Sequence, residues 1–383
     1  MKCKWYHILL SLVAASGCQQ LYDAPVKPMA TGYLVVEGFI SDGTTTIQLS
    51  RTTMLSDTST SVYEDGAQIT VESNGSDSFA LSGSGNGVYS NAIVVLNKSE
   101  QYRLRIQTAA GEIYVSDFES LKATPQIDSV SWAREDGGVQ IFATTHDPLD
   151  TSRYFYWTFS ATWEFHSDYV SSLSFIMNNV TGQLYGVRYK YPDGHEDSSV
   201  YRCWSNLPSS SILINSTENV SPDVVYQQPL MFIPQGSQQL SVLFSILVNQ
   251  YSISKGAYQF FQQLKNNTEQ LGTIFDPLPS GLQGNIHCLT NTAETVVGFV
   301  DVSNLQQQRI FIANSQVPDW DYIYVGCVLD TLSNDSTDLS KVTFENVLPI
   351  AFVGNSMGQF TESSSDCIDC TLTGSNVKPT FWP

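Results

Sequence analysis

The chain is poor in positive charge and in charge altogether. Of its 383 residues, 18 are Lys or Arg and 37 are Asp or Glu, which gives a net charge of −19, and charged residues make up only 14%. A surface this acidic repels nucleic acid and anionic lipid, so we expect neither as a partner. Long apolar runs are also missing, because no segment after the N-terminus offers the roughly 18 consecutive apolar residues of a membrane-spanning helix.

The N-terminus carries the clearest targeting pattern. Lys2 and Lys4 precede a mostly apolar stretch at residues 6–13, and small residues then lead into Cys18. This is typical of a secretory signal peptide, and small residues before a cysteine fit a bacterial lipobox. We therefore expect residues before Cys18 to be removed and the Cys18 thiol to carry a lipid with acyl chains such as palmitate, which would anchor the chain. The alternative is an ordinary signal cleaved near Ala15, with Cys18 uninvolved.

The spacing of short apolar segments predicts two β-rich domains after a leader at 1–17 and a lipidated tether at 18–32. Within residues 33–121, about six short strands are separated by glycine-rich turns, as in a β-sandwich of immunoglobulin-like size. The range 126–383 holds longer strands. The fold class is therefore mostly β: an N-terminal immunoglobulin-like β-sandwich, then a larger β-rich domain with one inserted helix.

Two segments of the larger domain have a distinctive pattern. Residues 153–165 are apolar on both faces of a strand, which predicts a central strand covered on both sides. Residues 252–271 have helical period, with Ser252 or Ser254 placed to cap the start. The apolar stripe of this helix consists of Ile253, Ala257, Phe260, Phe261 and Leu264.

Five cysteines remain in the mature chain besides Cys18. They are Cys203, Cys288, Cys327, Cys367 and Cys370. An exported chain is exposed to oxidising conditions, so two disulfides and one free thiol are the simplest expectation, with Cys327 bonded to Cys367 or Cys370. The Cys367-Ile-Asp-Cys370 spacing also occurs in zinc and redox sites, but no second CxxC or HxxxH accompanies it.

Candidate catalytic and metal-binding patterns are isolated. Gly354-Asn-Ser-Met-Gly358 matches a nucleophile elbow, yet the last histidine, His287, precedes the serine, and a hydrolase of this order needs one after it. Glu164 and His166 share one strand face, but a metal site needs three or four converging ligands. Residues 334–338 resemble part of a calcium loop without its glycine and distal glutamate. We predict no catalytic residues, no metal site and no cofactor.

Aromatic residues are plentiful and allow two interpretations. The tryptophans at issue are Trp132, Trp157, Trp163 and Trp204. They could line a sugar- or peptide-binding face, but alternating aromatics in a β-sandwich more often fill the core.

A series of motifs extends along nearly the whole mature chain. They are Leu34-Val-Val-Glu-Gly38, Thr145-His-Asp-Pro148, Asn215-Ser-Thr-Glu-Asn219, Pro229-Leu-Met-Phe-Ile-Pro234, Leu264-Lys-Asn-Asn-Thr-Glu-Gln-Leu-Gly-Thr-Ile-Phe-Asp-Pro277 and the C-terminal Lys378-Pro-Thr-Phe-Trp382, among others. In these motifs and their order the chain resembles the DUF4249 family of Bacteroidota lipoproteins of unknown function. The resemblance implies a lipid-anchored outer-membrane protein that often accompanies a SusC-like, TonB-dependent transporter. It supplies neither a ligand nor functional residues.

The expected function is therefore a non-enzymatic accessory or ligand-binding partner of such a transporter. The proline-rich segment after the helix, with Phe275 and Leu278, is our candidate for contacting the partner; alternatively, Phe275 packs into the core. A structural or adhesive cell-surface protein remains a second possibility, and an envelope hydrolase a third. Residues 19–23 contain a single acid, so the periplasmic and the outward-facing orientation both stay open.

Overall fold

The computed structural model describes residues 32–53, 62–269, 284–324, 326–342 and 346–383. Cys18, most of the tether, Phe275 and Leu278 lie outside these ranges. Within them the chain forms 24 strands and two α-helices, so the prediction of a mostly β protein is confirmed. No helix in the described ranges is both long enough and apolar enough to cross a bilayer.

The elements follow one another in three groups. The first group is β1 (Leu34–Phe39), β2 (Gly43–Arg51), β3 (Val62–Tyr63), β4 (Gln68–Ser73), β5 (Ser78–Gly85), β6 (Val88–Val94), β7 (Gln101–Gln107), β8 (Ile113–Ser116) and β9 (Glu119–Ser120). The second is β10 (Ile127–Glu135), β11 (Gly138–His146), β12 (Tyr154–His166), β13 (Leu173–Met177), β14 (Leu184–Tyr189), β15 (Arg202–Pro208), β16 (Leu213–Ser216), β17 (Val224–Pro234) and β18 (Leu243–Ser252). The third is α1 (Lys255–Glu269), β19 (Ile286–Cys288), β20 (Val297–Gly298), β21 (Leu305–Ala313), β22 (Asp330–Ser333), α2 (Ser336–Leu339), β23 (Val347–Phe352) and β24 (Gln359–Ser364).

The first sheet has eleven strands, counted over the described residues, and runs in the order β19-β8-β7-β4-β5-β6-β2-β1-β20, with β3 on β2 and β9 on β7. Its two end strands, β19 and β20, are separated by only residues 289–296. Nine strands laid flat would span about 38 Å, which is more than the roughly 30 Å that such a connection can reach. The sheet must therefore curl toward closure.

The curl occurs around one apolar core. β5 pairs through Ser78–Leu81 with β4 and through Ser82–Gly85 with β6, so the path bends along this strand. Core residues come from both halves, for example Ile69 and Leu104 from one and Leu34 and Ile47 from the other. Two of the sheet's strands, β19 and β20, come from beyond residue 283, in the range that the sequence pattern assigned to the larger domain.

The eleven-stranded sheet is the first layer of the structure, and a five-stranded sheet with a three-stranded sheet packed on it is the second layer. In the second layer, the strand with two apolar faces lies in the middle of its sheet, as predicted. β12 lies between β15 and β18 in a five-stranded sheet, β15-β12-β18-β21, with β16 also on β12. One face of this sheet packs on the three-stranded sheet β10-β11-β17, where Trp157, fully buried, meets Ile141 and Phe244 in a common core. A smaller sheet, β22-β24-β23, and the β13–β14 hairpin enclose a minor core near α2.

Helix α1 bridges the two layers. The hydroxyl of Ser254 accepts a hydrogen bond from the N–H of Ala257 at 3.1 Å, so Ser254 is the N-cap. The predicted apolar stripe packs into a cluster with Phe39 and Phe299 of the first layer and Tyr154 of the second. Helix burial by packing on both layers explains why a helix of this length is stable in a β-rich chain.

Candidate functional site

Glu164 and His166, which the sequence pattern placed on one strand face, belong to a hydrogen-bond network. Other residues of the protein occupy both oxygens of the Glu164 carboxylate. Arg202 Nε lies 2.6 Å from Glu164 Oε1, and Trp382 donates its indole N–H to Oε2 at 2.9 Å. The His166 ring nitrogen Nε2 lies 3.1 Å from Oε1. Burial alone would raise the pKa of Glu164, but the hydrogen bonds from Arg202, Trp382 and His166 outweigh it and lower the pKa. Both carboxylate oxygens are therefore engaged in structure.

The other candidate motifs occupy ordinary local structure. Residues 354–358 form the turn between the antiparallel strands β23 and β24, and a strand follows the serine where a nucleophile elbow requires a helix. Asp335 accepts hydrogen bonds from the backbone of Thr337 and Asp338 and caps α2. Within the described ranges, His, Cys, Asp and Glu side chains form no group of three or more that could hold a metal ion.

The tryptophans pack into cores and do not share one open face. Trp157 donates its N–H to Gln250 at 2.8 Å in the interior. Trp204 is 6% exposed, and Trp132 and Trp163 pack against the core of the second layer. The core interpretation therefore describes these four residues.

The disulfides match the expected two bonds and one free thiol. Cys203 is bonded to Cys370 and Cys327 to Cys367, while Cys288 is free and buried. The two cysteines of the CxxC motif thus bond to different partners and fasten the C-terminal segment to β15 and to the segment before β22. The prediction for Cys327 is confirmed.

A cleft between the two layers is the strongest candidate for a binding site. It consists of two adjacent cavities of about 360 and 500 Å³ that share six lining residues. The shared residues are Glu37, Gly38, Phe39, Tyr156, Thr158 and Ser209. Volumes of this size are typical of sites for small organic ligands.

Strand register explains how the walls of the cleft arise. On the first layer, Glu37 pairs with Gln48 and Phe39 with Thr46, and paired residues of neighbouring strands project to the same side. On the second layer, Tyr156 pairs with Tyr251 and Thr158 with Asn249, and this row continues on β21 as Leu305 and Gln307. The face of β1 and β2 that points away from the first core therefore lies opposite this row of residues on β12, β18 and β21. The row itself points away from the core around Trp157.

Aromatic contacts join the two walls. Phe39 stacks on Tyr251 with ring centroids 4.4 Å apart and contacts Tyr156 at 5.1 Å. Phe261 of α1 packs against Tyr156 at 4.6 Å, which completes the apolar end of the cleft. Offset and tilted ring pairs of this kind hold the walls at a fixed separation.

Gly38 permits this arrangement of β1. Its φ is +129°, and a Cβ at this position would lie 2.3 Å from the carbonyl oxygen of Thr46. Only glycine fits both the conformation and the space. Glu37 and Phe39 therefore reach the cleft on either side of a position that tolerates no side chain.

The electrostatics of the cleft centre on one carboxylate. Burial raises the pKa of Glu37, although its side chain remains exposed enough to meet a ligand. Burial raises the pKa of Tyr251 to about 12, and burial together with the Glu37 charge raises that of Tyr156 to about 12. Both phenols therefore stay protonated at neutral pH, and no described residue that lines the cleft carries a positive charge to neutralise the carboxylate.

Sequence reasoning missed the cleft. The segment Leu34–Gly38 attracted notice as a motif, but its alternation identifies only which residues point away from the first core. Where that outer face lies depends on contacts with a strand more than a hundred residues away. The one available signal was a lone acid between Val36 and Gly38 in an otherwise apolar strand.

Comparison with protein families gives a match that covers most of the chain. The model of the family DUF4249, described as a domain of unknown function, matches residues 20–309. These residues include both walls of the cleft and helix α1. No curated protein matches the chain.

Proposed function

This chain belongs to the DUF4249 family, and from that premise we propose that it is a lipid-anchored, non-enzymatic binding protein of the outer membrane. It holds a small organic ligand in the inter-layer cleft and acts beside a TonB-dependent, SusC-like transporter. The anchor is the lipid on Cys18. The family carries no established activity, so the proposal depends on the cleft.

The observation that carries the proposal is the composition of the cleft walls. They combine apolar side chains, such as Phe261 and Leu264, with neutral polar ones, such as Thr158 and Asn249, and a single carboxylate. Small-ligand sites combine apolar walls with a few placed polar groups, and here the smaller cavity is mostly apolar while the larger one is mostly polar. The walls belong to two separate sheets fixed by aromatic contacts, so the site is formed before a ligand arrives, which lowers the entropic cost of binding.

Blocking the cleft tests ligand binding directly. Thr158 lines both cavities, so Thr158→Trp should fill the space between them. Thr331 is an exposed strand residue of β22, outside the cleft, and Thr331→Trp is the matched control. We expect native mass spectrometry of protein isolated from cell envelopes to find a bound small molecule on the wild type and on Thr331→Trp but not on Thr158→Trp. Equal occupancy of all three proteins, or an empty wild type, would contradict a ligand-binding cleft.

Co-purification tests the partner. In mild detergent, the wild type should co-purify with a β-barrel transporter if it acts beside one. The double substitution Phe275→Ser, Leu278→Ser tests our candidate contact segment and should abolish co-purification without lowering the melting temperature. Ile93 in β6 and Val95 directly after it are exposed, so Ile93→Ser, Val95→Ser is a control that removes two apolar side chains elsewhere on the surface. A chain that always purifies alone would refute the partnership, and a lowered melting temperature with the complex intact would mean that Phe275 packs in the core.

A further inference from the structure

Glu37 is the only charged side chain among the described residues that line either half of the cleft. No lysine, arginine or histidine of that set faces it. The rise in its pKa has burial as its single cause, with no contribution from a hydrogen-bond donor or a nearby cation in the described chain. The carboxylate is therefore exposed within the cleft and has no counter-charge among the described residues that line it.

We propose that the cleft selects an organic cation, namely an ammonium group attached to an apolar body. This rests on the proposed binding function and names its ligand class. An ammonium group beside Glu37 supplies the missing counter-charge and a charge-assisted hydrogen bond. An anion would be repelled there, and a neutral ligand would leave the carboxylate without compensation for its lost water.

The side chains around Glu37 suit such a group. Glu37 and Tyr156 line both cavities, and the Glu37 charge contributes to the raised pKa of the Tyr156 phenol. Tyr251 lines the larger cavity, at the position of β18 that pairs with Tyr156. A phenol oxygen can accept a second hydrogen bond from an ammonium group, and tyrosine rings attract cations. The Glu37 carboxylate and the Tyr156 phenol thus form a patch of negative potential at the junction of the two cavities.

The apolar body has a separate compartment. The smaller cavity continues from Glu37 toward Phe261, Leu264 and Val297, and its volume of about 360 Å³ accommodates a phenyl ring with a short alkyl chain. Burial of that body would supply most of the affinity, while Glu37 would supply the selectivity.

The larger cavity, which is lined mostly by polar side chains, is less suited to a sugar-like ligand than these side chains suggest. The Asn249 amide donates to the Thr158 hydroxyl at 3.0 Å, and the Gln307 amide donates to Asn249 Oδ1 at 2.8 Å. These groups bond to one another along the sheet. A neutral polyol would have to compete with bonds already made.

A matched set of three probes tests the ligand class. The probes are 4-phenylbutylammonium, 4-phenylbutanol and 4-phenylbutyrate, which share a phenyl ring on a four-carbon chain and differ in charge. An alkylammonium group with a pKa near the lysine value of about 10.4 stays charged at pH 7. By calorimetric titration at low salt, we expect the ammonium probe to bind about tenfold more tightly than the alcohol, as a partly exposed charge-assisted hydrogen bond supports, and the butyrate to bind weakest.

Two variants assign the selectivity. Glu37→Gln should reduce the affinity for the ammonium probe to that for the alcohol while leaving the alcohol's affinity unchanged. Glu135→Gln, which removes an exposed acid at the end of β10, should change neither. If Glu37→Gln fails to fold, the wild type still provides a test, because raising the salt concentration should weaken the ammonium probe alone.

The outcomes test the preference for a cation separately from the existence of a binding cleft. If the alcohol binds as tightly as the ammonium probe, or if Glu37→Gln leaves the preference intact, the inference is overturned while the binding cleft stands. If none of the three probes binds, the inference is also overturned, and the envelope-isolation experiment with Thr158→Trp decides separately whether the cleft holds any ligand.

Discussion

The indole of Trp382 donates a hydrogen bond to Glu164 Oε2 at 2.9 Å across 218 residues of sequence. Trp204 meets the same indole edge-on, with ring centroids 6.4 Å apart, and Cys370 is bonded to the neighbouring Cys203. The C-terminal segment is thus fastened to β12 and β15 by a disulfide, a hydrogen bond to a carboxylate and a ring contact. The carboxylate, the indole hydrogen bond and the disulfide are each open to a separate test.

Acid should weaken this attachment through Glu164. Its pKa is lowered in the folded chain, so its stabilising contribution is fully present above the unfolded value of about 4.3 and is lost as the pH falls through the lower, folded value. Glu164→Gln should therefore cost about 2 kcal/mol of unfolding free energy at pH 7. In urea titrations, the gap between the variant and the wild type should narrow below about pH 4.3.

The indole hydrogen bond can be separated from the ring packing. Trp382→Phe keeps an aromatic ring but removes the N–H donor, and we expect a loss of about 1–2 kcal/mol at pH 7 by urea titration. The loss should be smaller when Glu164→Gln is already present, because the two residues share one interaction. Fully additive losses would show that the indole acts by packing alone.

The two disulfides should differ in their contribution to stability. Their sequence separations are 167 for Cys203–Cys370 and 40 for Cys327–Cys367. The chain-entropy account gives about 5 and about 4 kcal/mol respectively, since the longer loop loses more freedom. Replacing each pair by alanine and measuring chemical denaturation should give this order, and a reversed order would indicate that local packing dominates.

Cys288 should be the single thiol that reacts with a thiol reagent among the five cysteines that follow Cys18. It is buried, and its sulfur accepts a hydrogen bond from the Asn291 N–H at 3.3 Å. Protein from the envelope should therefore react with a thiol reagent only after unfolding, at one site, which peptide mapping would place at Cys288. Labelling of Cys327 or Cys367 without reductant would contradict the disulfides. Cys288→Ala should remove the label and cost about 1 kcal/mol.

The proposed lipid anchor on Cys18 makes a prediction independent of the fold. Cys18→Ala removes the acceptor thiol, so a fatty acid fed to expressing cells should no longer label the chain. Cys3→Ala alters a cysteine inside the leader and should leave labelling intact. Label that persists on Cys18→Ala would refute the lipobox interpretation.

Sequence patterns predicted the features that depend on neighbouring residues. The two apolar faces of residues 153–165 placed β12 inside a sheet. Helical period located α1 with Ser252 or Ser254 as its cap, and the structure selects Ser254. The cleft could not be predicted in this way, because Glu37 and Tyr156 meet through the packing of two sheets. The same holds for Trp382 and Glu164, whose contact follows from the docking of a distant segment.

The return of β19 and β20 to the first sheet bears on how the protein is made. β1 finds its parallel partner only at Val297 and Gly298, and β8 finds its outer neighbour only at Ile286–Cys288. A chain that emerges from a translocation pore N-terminus first would therefore expose two unpaired strand edges until nearly 300 residues have crossed. Such edges pair readily with other chains. The first sheet should accordingly be open to pairing with other chains until its last two strands arrive.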